Sequence, residues 1–163
     1  MGRWRVLAAL MSALVAGGPA LAASAQEGVA ALRRQDYARA LAILGPLGQS
    51  GNAVAETYLG YMYANGYGLP QNYIEAARWL RLASEQGYPE AQYQLGLMYN
   101  KGQGVPQDYI EAFKWVDLAA AQARGRQRED WVRIRNAIAT KLSLEERTKA
   151  QARAMAWLAK RGR

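Results

Sequence analysis

Shifted by 36 residues against itself, the chain pairs the stretch from Ala55 to Ala83 with that from Ala91 to Ala119 without a gap. Ala55, Leu59, Gly60, Met62 and Tyr63 fall on Ala91, Leu95, Gly96, Met98 and Tyr99. Further on, Gly66, Gly68, Pro70, Gln71, Tyr73, Glu75 and Ala76 meet Gly102, Gly104, Pro106, Gln107, Tyr109, Glu111 and Ala112, and Trp79, Leu82 and Ala83 meet Trp115, Leu118 and Ala119. Carried backwards, the same offset sets Gln35, Tyr37 and Ala40 on Gln71, Tyr73 and Ala76, a partial earlier copy. A period of this length confines the chain to a solenoid of helix pairs, because one unit cannot bury its own apolar face and must stack on its neighbours.

Local chemistry divides each copy into two helices. Ala55, Leu59, Met62 and Tyr63 recur on one helical face, as do Tyr73, Ala76, Ala77, Leu80 and Ala83. Gly66 and Gly68 end the first helix, and Pro70 keeps the chain extended before the second begins. Asn72 with Glu75, and Asp108 with Glu111, have capping-box spacing; Gly87 closes the second helix and Pro89 suits the first turn of the next. The second copy has Ala123 where a closing glycine is expected, which predicts that the helix over 108–122 runs on and that the array stops there. After it, the spacing predicts helices over 127–140 and 144–160, the latter opened by a capping box at Ser143 and Glu146. Its stripe of Leu144, Thr148, Ala152, Met155 and Ala159, with Trp157 and Leu158 near its end, is expected to close the end of the solenoid.

The pattern Ala-x-x-x-Leu-Gly-x-x-Tyr, Gly-x-Gly-(Leu/Val)-Pro-Gln-(Asn/Asp)-Tyr, Glu-Ala-x-x-Trp resembles the Sel-1-like repeat, a relative of the tetratricopeptide repeat. The resemblance is strong over 53–123 and degenerate over 27–52. It implies an all-α superhelix with a concave groove, and an adaptor role in protein complexes, often in bacterial envelopes. On this reading the chain divides into 1–25 (signal peptide), 26–52 (N-terminal half-repeat), 53–88 and 89–123 (two repeats) and 124–163 (basic capping helices).

The first segment has the three parts of a secretory signal: Arg3 and Arg5, an apolar run from Val6 to Ala16, then two small-residue triads ending at Ala22 and Ala25. Cleavage is expected after Ala25, giving a periplasmic or secreted chain, because the apolar run is far short of the roughly 20 residues that span a bilayer. Charge is lopsided: residues 26–123 hold seven Lys or Arg against nine Asp or Glu, whereas 124–163 hold twelve against four. That basic end is either a solvated cap or a contact for anionic surfaces, such as lipid head groups, cell-wall polymers or acidic proteins. Nucleic acid is not expected as a partner, since the cations lack interleaved aromatics.

The chain contains neither Cys nor His, which removes thiolate nucleophiles, disulfides, the usual zinc ligands and the commonest general base. Adjacent carboxylates, Glu129-Asp130 and Glu145-Glu146, point about 100° apart on a helix and do not converge. No catalytic residue, cofactor or metal is expected. A rival reading, a cell-wall hydrolase or β-lactam-binding enzyme, comes from exported relatives that the resemblance includes, yet those look cysteine-stapled. The informative positions are those where the copies differ: Tyr58 against Gln94, Tyr61 against Leu97, Asn65 against Lys101. Their spacing makes a stripe beside the core face of each first helix, the side that lines the groove in the related folds. These six are the candidate partner-binding residues, and an envelope protein or exported peptide is the expected partner.

Overall fold

The computed structural model describes the backbone over residues 18–162 and side chains from Ser24 onward. Eight helices occur in this span: α1 (Gly18–Arg33), α2 (Tyr37–Gln49), α3 (Ala53–Asn65), α4 (Tyr73–Glu85), α5 (Pro89–Lys101), α6 (Tyr109–Gln122), α7 (Gly125–Ala139) and α8 (Leu144–Arg161). There is no strand among the described residues. From α1 to α7 each helix packs on its neighbours in sequence, and α8 packs on α6. The result is an α/α solenoid of helix pairs.

Small residues set the spacing within a pair. A Cβ on Gly96 of α5 would stand 2.6 Å from Val116 and 3.0 Å from the carbonyl oxygen of Ala112, so α5 and α6 touch almost backbone to backbone; Gly60 does the same between α3 and α4. Around these contacts the core is filled by Leu44, Leu59 and Met62, then by Leu80, Leu95 and Met98, all buried. Trp79 reaches out of α4 into the cluster of α1–α3, and Trp115, one repeat later, joins the cluster of α4–α6, so each tryptophan bridges neighbouring pairs.

The helix ends follow the expected chemistry with one revision. Gly66 and Gly102 close α3 and α5 in the left-handed conformation, and Asn72 and Asp108 each accept from two backbone N–H groups of the helix they begin. The second half of the capping box does not form in either repeat. The N–H groups of Asn72 and Asp108 already donate to the carbonyls of Tyr63 and Tyr99, so nothing is left for the glutamates to accept. Glu75 turns to Arg78, and Glu111 to Lys114 and Arg153. At Ser143 the N–H is free of such a partner, and the reciprocal box with Glu146 is complete.

Two expectations at the C-terminal end are corrected. The helix over 108–122 does not run on. Lacking a glycine, the chain leaves α6 through extended Ala123 and Arg124 instead of a left-handed turn, and buried Ala123 packs beside Trp131 of α7. The stripe of α8 expected to pack faces away: Leu144 is 75% exposed and Met155 67%, with Thr148, Ala152 and Ala159 exposed as well. α8 docks through its opposite side, Ala150, Ala154 and Trp157, whose small residues let it lie close along α6. Trp157 meets Trp115 edge to face at 5.9 Å, Arg153 pairs with Glu111 at 2.7 Å, and Arg161 donates to the Glu85 carbonyl at the end of α4 at 2.7 Å.

At the other end, the charged start and apolar run of the expected signal lie outside the described residues. Both small-residue triads fall within α1, and Ala25, 1% exposed, packs with Val29 and Leu32 in the first core cluster. No helix among the described residues is long and apolar enough to cross a membrane.

Candidate functional site

The first helices of successive pairs, α1, α3, α5 and α7, border a row of three connected depressions. The first, about 320 Å³, lies between α1, α2 and α3 and is walled by Arg33, Tyr37, Tyr58, Tyr61 and Tyr67. Tyr37 and Tyr67 stack at 5.0 Å, and Tyr61 meets Tyr67 edge-on at 5.6 Å. The second, about 240 Å³, opens between α3 and α5 and is bordered by Tyr61, Asn65, Gln94, Leu97 and Lys101. The third, about 300 Å³, lies between α5 and α7 against Tyr93, Leu97, Lys101, Ile134 and Lys141. Tyr61 is shared by the first two, and Leu97 and Lys101 by the last two, so each depression adjoins the next.

Five of the six candidate residues thus converge on the central depression, and the sixth, Tyr58, lies one step along. Tyr61 is the most open of the tyrosines there, 40% exposed, whereas Tyr58 is half-buried against the first core cluster. Partial desolvation, then the hydroxyl of Tyr67, push the Tyr61 phenol above its ordinary range. It therefore stays neutral, a hydrogen-bonding group at the rim of an aromatic patch. Asn65 is held by a 2.8 Å bond from its amide to the Tyr61 carbonyl. Lys141 donates to Asn100 at 2.9 Å and lies 4.6 Å over the ring of Tyr109.

Several residues of the row lay outside the sequence reading. Tyr37 and Arg33 come from the degenerate lead-in, where the repeat register is weak, and Tyr67 from the glycine turn, where it stands against Gln103 of the next copy. Ile134 comes from α7 and Lys141 from the turn after it, where the sequence shows no repeat pattern. The row's side chains offer aromatic faces, amides and ammonium groups, and include no Ser, Thr, Asp or Glu. No group of three or more Asp or Glu side chains that could hold a metal ion occurs among the described residues.

The basic C-terminal end is partly committed to structure. Arg135 pairs with Asp117 at 2.9 Å, and Arg153 and Arg161 fasten α8. Arg124, Arg126 and Arg128 remain exposed at the start of α7.

The Sel1 repeat family profile matches residues 53–88 and 89–123. The chain carries two Sel1 repeats. Among solved structures, a protective antigen of uropathogenic Escherichia coli displaying an SLR fold is similar to this chain, with 27% identity and a TM-score of 0.78 over 85% of it. A Sel1 repeat protein from Oxalobacter formigenes is 36% identical over 60% of the chain, with a TM-score of 0.57. The matched region spans only 30% and 40% of those two proteins. No curated protein matches the chain.

Proposed function

We propose that this Sel1-repeat chain is an exported adaptor that holds a segment of a partner protein along the row between its first helices. The observation that carries the reading is convergence: positions at which the two repeats depart from each other, scattered over 44 residues of sequence from Tyr58 to Lys101, border one row of adjoining depressions. Framework positions such as Leu59 and Leu95, or Met62 and Met98, repeat because the packing they serve repeats, whereas a surface fitted to a ligand has no reason to. Open tyrosines beside amides and a leucine give the mixture of large apolar area and hydrogen bonding found at binding hot spots. The enzymatic alternative, a cell-wall or β-lactam hydrolase, receives no support from the row, whose walls contain no Ser or Thr hydroxyl and no carboxylate to serve as base.

Export rests on the sequence of the first 25 residues. A cut after Ala25 would leave Val29 and Leu32 to hold α1 in place. Mass spectrometry of the native protein is expected to find Gln26 at the N-terminus, and an intact Met1 would refute export by this route.

The binding reading is tested by a photo-crosslinking amino acid placed at Leu97, on the row, or at Arg126, away from it. A discrete adduct is expected from Leu97 in the organism of origin, and its loss when Tyr61→Ala is added. Truncation at a hot spot weakens binding by about 2 kcal/mol, roughly thirtyfold. Adducts formed equally from both positions would refute the assignment.

A further inference from the structure

We infer that the row selects an extended peptide that carries carboxylates among apolar side chains. This rests on the binding reading above and adds the chemistry of the partner. The observation is the distribution of charge. Residues 26–123 contain more acidic than basic side chains, yet none of the three depressions has an Asp or Glu in its wall. Cations stand at each step: Arg33 in the first, Lys101 between the second and third, Lys141 in the third. Some carboxylates elsewhere are matched with cations: Glu27 with Arg39, Glu75 with Arg78, Glu111 with Lys114 and Arg153, and Asp117 with Arg135. Arg33 and Lys101 have no carboxylate within ion-pair distance among the described residues. Arg33 and Lys101 thus make a basic strip within an acidic part of the chain, Lys141 of the basic end extends it, and its field favours an anion.

The rest of the lining argues for a peptide over another polyanion. Tyr37, Tyr58, Tyr61, Leu97 and Ile134 offer apolar sockets that a charged polysaccharide would leave uncovered. Asn65, Gln94 and Asn100 present amides able to donate to peptide carbonyls and accept from peptide N–H groups. Carboxylates of such a peptide would meet the cations while its apolar side chains fill the sockets.

The test is a selection of phage-displayed random dodecapeptides on the full folded protein, on Lys101→Glu/Lys141→Glu, and on Tyr61→Ala, with circular dichroism confirming that each variant is helical. The wild type is expected to enrich peptides with two or more Asp or Glu separated by apolar residues. Synthetic versions should bind at least tenfold more weakly to the double charge reversal and at high salt. The charge-reversed protein should instead enrich Lys- and Arg-bearing peptides. If the wild-type pool shows no acidic excess, or the charge-reversed pool is the same, but enrichment is still lost in Tyr61→Ala, the carboxylate inference falls and the binding row stands. Displacement of the peptides by dextran sulfate at equal charge concentration, with no apolar preference in the pool, would show that charge alone is read and overturn the peptide assignment. Enrichment on no protein, or equal enrichment on Tyr61→Ala, would overturn the inference together with the row.

Discussion

Glu56 is only 3% exposed, and its carboxylate accepts from the Gln86 amide at 2.7 Å. One repeat later the same two places hold Gln92 and Gln122, whose amides bond at 3.0 Å. The clamp ties the start of each pair's first helix to the end of its second, and in the first copy it contains a charge. Desolvation pushes the Glu56 carboxyl above its ordinary 4.5, and the bond from Gln86 offsets only part of that. Because the folded state binds this proton more tightly than the unfolded state, the burden of the buried charge is full above the raised value and is relieved as pH falls through it toward 4.5. Glu56→Gln reproduces the second repeat's pair without the charge. It is expected to raise stability at neutral pH by up to about 1 kcal/mol and to flatten the pH dependence in that window. Urea unfolding of the two proteins at pH 7 and near pH 4.5 checks this; a variant less stable at pH 7 would mean the carboxylate is a favourable partner. The equivalence of Glu56 and Gln92 is visible in the repeat alignment, but nothing in the sequence tells that both are buried, since acidic and amide side chains ordinarily lie outside.

At the scale of the helix and its loop, the repeats interlock through glycine. Gly104 has φ +69, and a Cβ there would overlap the carbonyl of Tyr73 at the start of α4; Gly68, one repeat earlier, lies in the same way on Tyr37 at the start of α2. Each loop therefore seats on the second helix of the preceding pair. Gly104→Ala is expected to cost about 3 kcal/mol or more, because backbone cannot yield as a flexible side chain can. Gly51 is the control: its φ is +86 but a Cβ would meet nothing within 4 Å, so Gly51→Ala carries conformational strain alone, about 1 kcal/mol. Thermal unfolding of both variants separates the two contributions, and equal losses would mean that the loop does not seat firmly. Glycine and proline spacing made these helix boundaries legible in sequence. The docking face of α8 was not legible, because that helix has two apolar sides. Leu144, Met155 and Leu158 outweigh Ala150 and Ala154 in bulk, yet close approach to α6 selects the small residues and Trp157. The binding row was half legible: its repeat-breaking residues show in the alignment, while Arg33 and Lys141 reach it only through the stacking of pairs.

A solenoid's stability is a sum over neighbouring units, so damage at one end need not reach the other. The first core cluster draws on α1 to α4, whereas α8 touches the C-terminal part: Ala154 and Trp157 against the cluster of α4–α6, Ala150 against that of α6 and α7, and Arg161 on the end of α4. Removing residues 144–163 would uncover Trp115, now 4% exposed, and leave Glu111 with Lys114 but without Arg153. Hydrogen exchange of the truncated chain is expected to show amides of α6 and α7 losing protection by tenfold or more, those near the end of α4 by less, and those of α2 and α3 by under twofold. The gradient is the informative quantity. Uniform loss from α2 to α7 would show that the array folds as one cooperative unit, and unchanged protection in α6 would show that α8 does not stabilise the face it covers. Trp157→Ala should give the same gradient at smaller amplitude, since it removes the edge-to-face contact with Trp115 while Ala150 and Ala154 still hold α8 against α6.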